Sequence, residues 1–167
     1  MLAALILLAS CGFKPMYAPS GGDPLIGAVS VPEVPGKAGH AFRTEFVRQL
    51  AAERAGSANR RLDITVTEVV APLGLRVDES ASRADLILNS NYRLLDEGGR
   101  ELAKGLISAT ASYDIPISAY GAAAAQDDAR ERAGVLLAQR VRTDLALKLA
   151  RLRDAPPAPP QQVLPKQ

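Results

Sequence analysis

Cys11 and His40 are the only cysteine and the only histidine in the 167-residue chain. Nucleophilic catalysis by a thiol or hydroxyl needs an activating base within hydrogen-bond reach. His40 stands beside Gly39 at the head of a predicted helix, and no G-x-S-x-G, H-E-x-x-H, Walker A or G-x-G-x-x-G pattern accompanies it. The carboxylate pairs Asp78-Glu79 and Asp127-Asp128 are adjacent in sequence, so their side chains diverge rather than face each other across a bond. They read as a solvated loop and as negative charge placed near a helix start. A single His rules out His–His chelation, and a single Cys rules out a multi-Cys zinc site or an intramolecular disulfide. No catalytic residue, metal or cofactor is expected. A net charge of +2 and an aromatic content of 4% argue against nucleic acid as a partner.

The thiol of Cys11 has another use. Residues 1–10 read MLAALILLAS, an uncharged apolar run too short to span a bilayer, which needs about 20 residues. The run resembles the apolar region of a secretory signal peptide. The basic region that usually precedes it is missing, so either the start lies upstream or the Met1 amine supplies the charge. The run closes with Leu8-Ala9-Ser10-Cys11, which resembles the bacterial lipobox: an aliphatic residue, two small residues, then cysteine. That resemblance implies cleavage before Cys11, diacylglycerol on its sulfur and acylation of the new amine. Three acyl chains exceed the two signals that stable anchoring takes. Gly12 follows, where Asp marks inner-membrane retention in enteric bacteria, so the resemblance implies the periplasmic face of the outer membrane.

These features divide the chain into a signal peptide (1–10), a lipidated Gly/Pro-rich tether (11–24), a folded domain (25–153) and a Pro-rich tail (154–167) expected to be disordered. With 47% hydrophobic residues, the middle part can build a packed core. Ile26–Val34 is a β-branched run that Pro32 and Pro35 confine to a sheet edge or strand end. Gly39–Ala55 is a predicted helix closed by Gly56. Its apolar stripe is Phe42, Phe46 and Leu50, with Val47 beside them, and Arg43, Glu45, Arg48 and Glu53 fall mainly on the other side.

Arg61–Val70 alternates, with Leu62, Ile64 and Val66 on one face. Ala84–Leu95 does the same through Leu86, Leu88, Tyr92 and Leu94. Ala71–Arg83, between them, reads as a long polar hairpin loop. Across the Asp96–Gly99 turn, Glu101–Pro116 alternates again, with Gly105, Ile107, Ala109, Ala111, Tyr113 and Ile115 sharing a face. Ala122–Arg153 is the longest helical pattern, striped by Leu137, Val141, Leu145, Leu149 and Leu152. Its Arg130, Arg132, Arg140 and Arg142, interspersed with acids, read as a solvated face with i,i+4 pairing. The order β-α-β-β-β-α predicts an α+β fold: a small mixed four-stranded sheet with two helices packed on one face.

The run Cys11-Gly12-Phe13-Lys14-Pro15-Met16-Tyr17 resembles the lipobox-following C-G-F-[basic]-P-L-Y motif of the LPS-assembly lipoproteins, in their α-proteobacterial form. The element order matches that family too. So does Tyr120–Leu152, with Asp128-Ala129-Arg130-Glu131-Arg132-Ala133 leading a long amphipathic helix. The resemblance covers nearly the whole chain except the tail. It implies a non-enzymatic plug inside a large outer-membrane β-barrel, which helps the barrel assemble and helps deliver lipopolysaccharide to the cell surface. It also implies lipopolysaccharide binding through basic residues. The candidates are Arg93 and Lys104, on the outward faces of hairpin partners, and Arg76 and Arg83 in the neighbouring loop. Other readings are an accessory lipoprotein of a different envelope lipid-transport system, or a small periplasmic enzyme.

Overall fold

The computed structural model describes residues 29–51, 59–75 and 81–154. The expected signal peptide, lipidation site Cys11, tether, helix stop Gly56, Arg76, the Asp78-Glu79 pair and the Pro-rich segment from Ala155 lie outside these residues. Asp154, assigned to the tail on sequence, is instead the last residue of the final helix.

The elements run β1 (Val29–Ser30), α1 (Gly36–Ala51), β2 (Arg60–Leu75), β3 (Ala81–Asp96), β4 (Glu101–Asp114) and α2 (Ala119–Asp154). They form one four-stranded sheet in the order β1-β2-β3-β4, with β1 parallel to β2 and the other pairs antiparallel. This is the α+β architecture read from the sequence. Among the described residues, β1 contributes Val29 and Ser30, paired with Arg60 and Arg61, and Pro32 follows them closely. A proline cannot continue the ladder in a central strand, and here it stands at the sheet's edge.

The side-chain period of two decides which face is buried. Leu62, Ile64 and Val66 of β2 stand opposite Leu94, Tyr92 and Ser90 of β3, and these stand opposite Ala103, Gly105 and Ile107 of β4. That face meets both helices in one core containing Phe42, Phe46, Leu86, Leu88, Leu137, Val141 and Leu145, each of them fully buried. Phe42 and Phe46 stack with ring centroids 5.4 Å apart. Fully burying an apolar side chain of this size contributes roughly 1.5–3 kcal/mol. The helix stripes therefore carry much of the driving force. Leu152 leaves the stripe and is exposed.

Several local expectations are corrected. Most of Ala71–Arg83, expected as a hairpin loop, is strand, because β2 continues to Leu75 and β3 begins at Ala81. Leu73 pairs with Arg83 and Ala71 with Asp85, so cross-strand pairing overrides a polar composition. Arg83 is thus a strand residue, not a loop residue. In α1, Glu45 is buried and Val47 exposed, the reverse of what hydropathy assigns them. Glu45 tolerates burial because Arg48 donates to both its oxygens at 2.6 and 2.7 Å and Gln49 donates at 2.7 Å.

α2 begins at Ala119, with the Ser118 hydroxyl capping the Gly121 amide at 3.1 Å. Asp127 and Asp128 therefore sit two turns in, beyond the reach of the helix N-terminus. They pair instead with Lys37 and Arg130 (Asp127) and with Arg132 (Asp128).

Small residues set the helix–helix spacing. A Cβ at Gly134 would lie 2.8 Å from Cβ of Ala41, 2.9 Å from the Ala38 carbonyl oxygen and 3.0 Å from the Phe42 nitrogen. Two of these are backbone atoms that cannot rotate away. Gly134→Val is expected to destabilise the fold by about 1–3 kcal/mol through overpacking. Urea unfolding reads this as a lower midpoint at unchanged slope. An unchanged midpoint is incompatible with this helix contact.

Candidate binding surface

Among the described residues, the second face of the sheet carries no helix. Arg93 and Lys104, picked from the sequence, face each other directly across β3 and β4, and Asp63 of β2 stands on the other side of Arg93. Arg61 donates to Asp63 at 2.7 Å, and Lys104 pairs with Glu101 at 3.0 Å. Among the described residues, Arg93 has neither an ion pair nor a hydrogen bond through its side chain. It borders a cavity of about 470 Å³ lined by Pro32, Arg61, Asp63, Ile64, Thr65 and Asn91.

Arg83 does not join this group. It lies ten residues along β3 from Arg93, about 33 Å away in an extended strand, and opposes Asp114. Arg76 lies outside the described residues. The four sequence candidates thus reduce to one pair, Arg93 and Lys104.

The basic residues of α2 include the exposed Arg132 and Arg140, as expected, but several of them also reach the sheet. Lys148 donates to the Lys104 carbonyl at 2.5 Å, Arg140 to the Ser108 carbonyl at 2.6 Å, and Arg132 to the Ser112 carbonyl at 3.2 Å. The helix donors recur every eight residues, a rise of about 12 Å. The strand acceptors recur every four, about 13 Å. The two repeats match, so α2 occupies the outer carbonyls of β4 with side chains. Arg130 crosses to β2, donating to both Glu68 oxygens at 2.8–3.0 Å and to Asp127 at 2.7 Å. The expected i,i+4 pairing appears at Arg132–Asp128 and Lys148–Asp144.

Tyr92, Asp144 and Lys148 form a polar cluster over the core. Tyr92 is fully buried, its hydroxyl donates to Asp144, and Lys148 donates to the same hydroxyl at 3.1 Å and to Asp144 at 2.7 Å. Gly105 makes room for the ring: a Cβ there would lie 2.8 Å from Cε1 and the hydroxyl oxygen of Tyr92. Burial, followed by the hydrogen bond to Asp144, pushes the Tyr92 phenol well above its ordinary value. Burial alone would raise Asp144, but hydrogen bonds from Lys148 and Tyr92 outweigh it and hold the carboxyl below the usual range. Sequence reading passed over this cluster; its signals were the i,i+4 Asp144–Lys148 pair and a tyrosine on a mostly apolar strand face. Its three groups are hydrogen-bonded to one another, which ties β3 to α2. A second groove, about 520 Å³, runs beside it between β4 and α2, with Leu106 and Leu147 exposed on its rim. Among the described residues, no cluster of three metal-ligating side chains occurs and no helix is long and apolar enough to cross a membrane.

Comparison with solved structures returns this architecture. A lipoprotein candidate from Caulobacter crescentus is similar with 28% identity and a TM-score of 0.61, over 75% of this chain and 92% of that one. The rare lipoprotein B of Shewanella oneidensis is similar with 15% identity and a TM-score of 0.58, over 75% and 97%. A minor lipoprotein of Acinetobacter baumannii is similar with 16% identity and a TM-score of 0.53, over 74% and 94%. These neighbours are named as lipoproteins, and at the lower identities the likeness is one of fold alone. No family model matches the chain, and no curated protein matches it in sequence.

The Tyr92 cluster carries a pH signature. A phenol whose pKa is raised in the fold contributes stability fully below the unfolded value of 10.0 and loses it as pH rises beyond that. Tyr92→Phe removes a hydrogen bond to a charged group and is expected to cost about 1.5–3 kcal/mol at neutral pH. The stability gap between the native chain and Tyr92→Phe should hold constant from neutral pH to pH 10 and narrow above it. A gap unchanged at pH 11–12, by denaturant titration, contradicts the buried phenol–carboxylate contact.

Proposed function

We propose that this chain is a non-enzymatic outer-membrane lipoprotein, anchored through acylated Cys11, that plugs the lipopolysaccharide-transport β-barrel and assists its assembly. In this reading it helps deliver lipopolysaccharide to the cell surface. The observation that carries the proposal is a conjunction: the Cys11–Tyr17 run resembling the LPS-assembly lipoproteins precedes an α+β domain whose fold neighbours are named as lipoproteins. Neither half suffices, since a lipobox is common and a fold does not fix a function.

Lipopolysaccharide carries phosphate, and the bare sheet face offers Arg93 and Lys104 side by side for it. Arg93 lacks an ion-pair partner among the described residues, and Lys104 can exchange Glu101 for phosphate. Such contacts are charge-assisted and weaken with salt. Arg83, far along the strand, and Arg76 are not assigned to this contact.

Pull-down in mild detergent from native envelopes, with a tag after Gln167, tests the partner. One large outer-membrane β-barrel recovered in stoichiometric amount is the expected result. An inner-membrane transporter in its place sinks the translocon reading and favours an accessory of another lipid-transport system. For the ligand, Arg93→Glu with Lys104→Glu should weaken binding to immobilised lipopolysaccharide at least several-fold at 0.15 M salt, with thermal stability retained. Binding that ignores both the charge reversal and 0.5 M salt removes these residues from the site.

A further inference from the structure

The two long edges of the sheet are finished differently. The outer carbonyls of β4 at Lys104, Ser108 and Ser112 are taken by Lys148, Arg140 and Arg132. In antiparallel ladders alternate residues face alternate neighbours. Even-numbered residues of β4 face outward, so its odd-numbered residues face β3. The register then makes odd-numbered residues of β3 face odd-numbered residues of β2. The main chain of Ile64, Val66, Glu68 and Val70 consequently points to the free side of β2. Pro72 has the same parity, and its missing N–H therefore breaks no ladder bond with β3.

Among the described residues, nothing pairs with this side of β2 beyond β1 at Arg60 and Arg61. The window from Ile64 to Val70, about 24 Å long, is bounded by β1 at one end and Pro72 at the other. Six of its seven residues are β-branched, and its register with β3 runs without a bulge. Its one charge, Glu68, is neutralised by Arg130. The usual guards of a free edge, lysines and unpaired charges, are missing from it.

We infer that Ile64–Val70 of β2 is a docking edge for a short, extended, uncharged segment of a partner polypeptide, which adds as a further strand through main-chain hydrogen bonds. The neutral window fits an uncharged occupant. A second copy fits poorly: two-fold pairing centred on Thr67 sets residues 73–74 of one β2 opposite residues 61–60 of the other, where β1 already sits. The inference goes beyond the translocon reading and does not require the partner to be a barrel.

The test uses the full-length chain in native envelopes, with a benzophenone photo-crosslinking residue at Thr65 or Val69 on β2, or at Thr110 on β4 for comparison. The expected result is a β2 adduct that maps to an uncharged stretch of another polypeptide. That adduct should fall at least fivefold in Val66→Pro, which removes an outward N–H. Should Val66→Pro fail to fold, Thr67→Lys at an exposed position supplies the same block. Four results overturn the inference: no β2 adduct, an adduct with a second copy, an adduct with residues 1–28 or 155–167 of the same chain, or an adduct insensitive to both substitutions. The identity of the crosslinked polypeptide is a separate readout. A partner other than a β-barrel leaves the edge assignment standing and counts against the translocon.

Discussion

Lys148 joins the parts of this domain that most need joining. Its ammonium reaches the outer carbonyl of β4, the buried hydroxyl of Tyr92 and the carboxylate of Asp144 at once. A helix lying on a sheet by hydrophobic contact alone could slide along it, because apolar burial is not directional. Hydrogen bonds are directional, and the Lys148, Arg140 and Arg132 series sets α2 against β4 at one register. Tyr92 can enter the cluster only because Gly105 opposes it, so the strand pairing and the helix position depend on each other.

With both helices on one face, the sheet is left with unlike surfaces. One side is apolar and closed. The other is bare among the described residues and mixed in character, with Val69, Leu73 and Leu106 exposed, Arg93 and Lys104 near the β3–β4 turn and Arg83 far away at the opposite end. The edges differ as well: β4 is capped by side chains of α2, whereas among the described residues β2 has only Val29 and Ser30 of β1 beside it. A protein built as a plug or a scaffold needs several such surfaces at once, and an unequal pair of edges lets one accept a partner without inviting pairing at the other.

Much of the fold was legible because period-two and near-four-residue spacings are long and clean in this chain. Leu62, Ile64 and Val66 identify their strand face, and Phe42 and Phe46 their helix face, before any partner is known. Reading failed where burial or pairing is decided by packing between elements. Glu45 reads as a surface residue until Arg48 and Gln49 close over it. Ala71–Leu75 reads as loop until β3 supplies its ladder. Arg132 and Arg140 read as solvated, and they are exposed, but only the fold shows that they also donate to carbonyls of β4.

Of the candidate site, the sequence determined that Arg93 and Lys104 share a hairpin, because alternation about the Asp96–Gly99 turn sets their faces. By itself it also determined the fold class, the lack of metal and catalytic motifs, and the lipobox-like context of Cys11. Tertiary structure alone decided that Arg93 lacks an ion-pair partner among the described residues while Arg130, Arg132 and Arg140 are engaged, that Arg83 is remote, and that one sheet edge is capped and the other open. The reason is physical. Periodicity encodes which way a side chain points relative to its own element, whereas charge pairing and edge capping depend on which element arrives opposite.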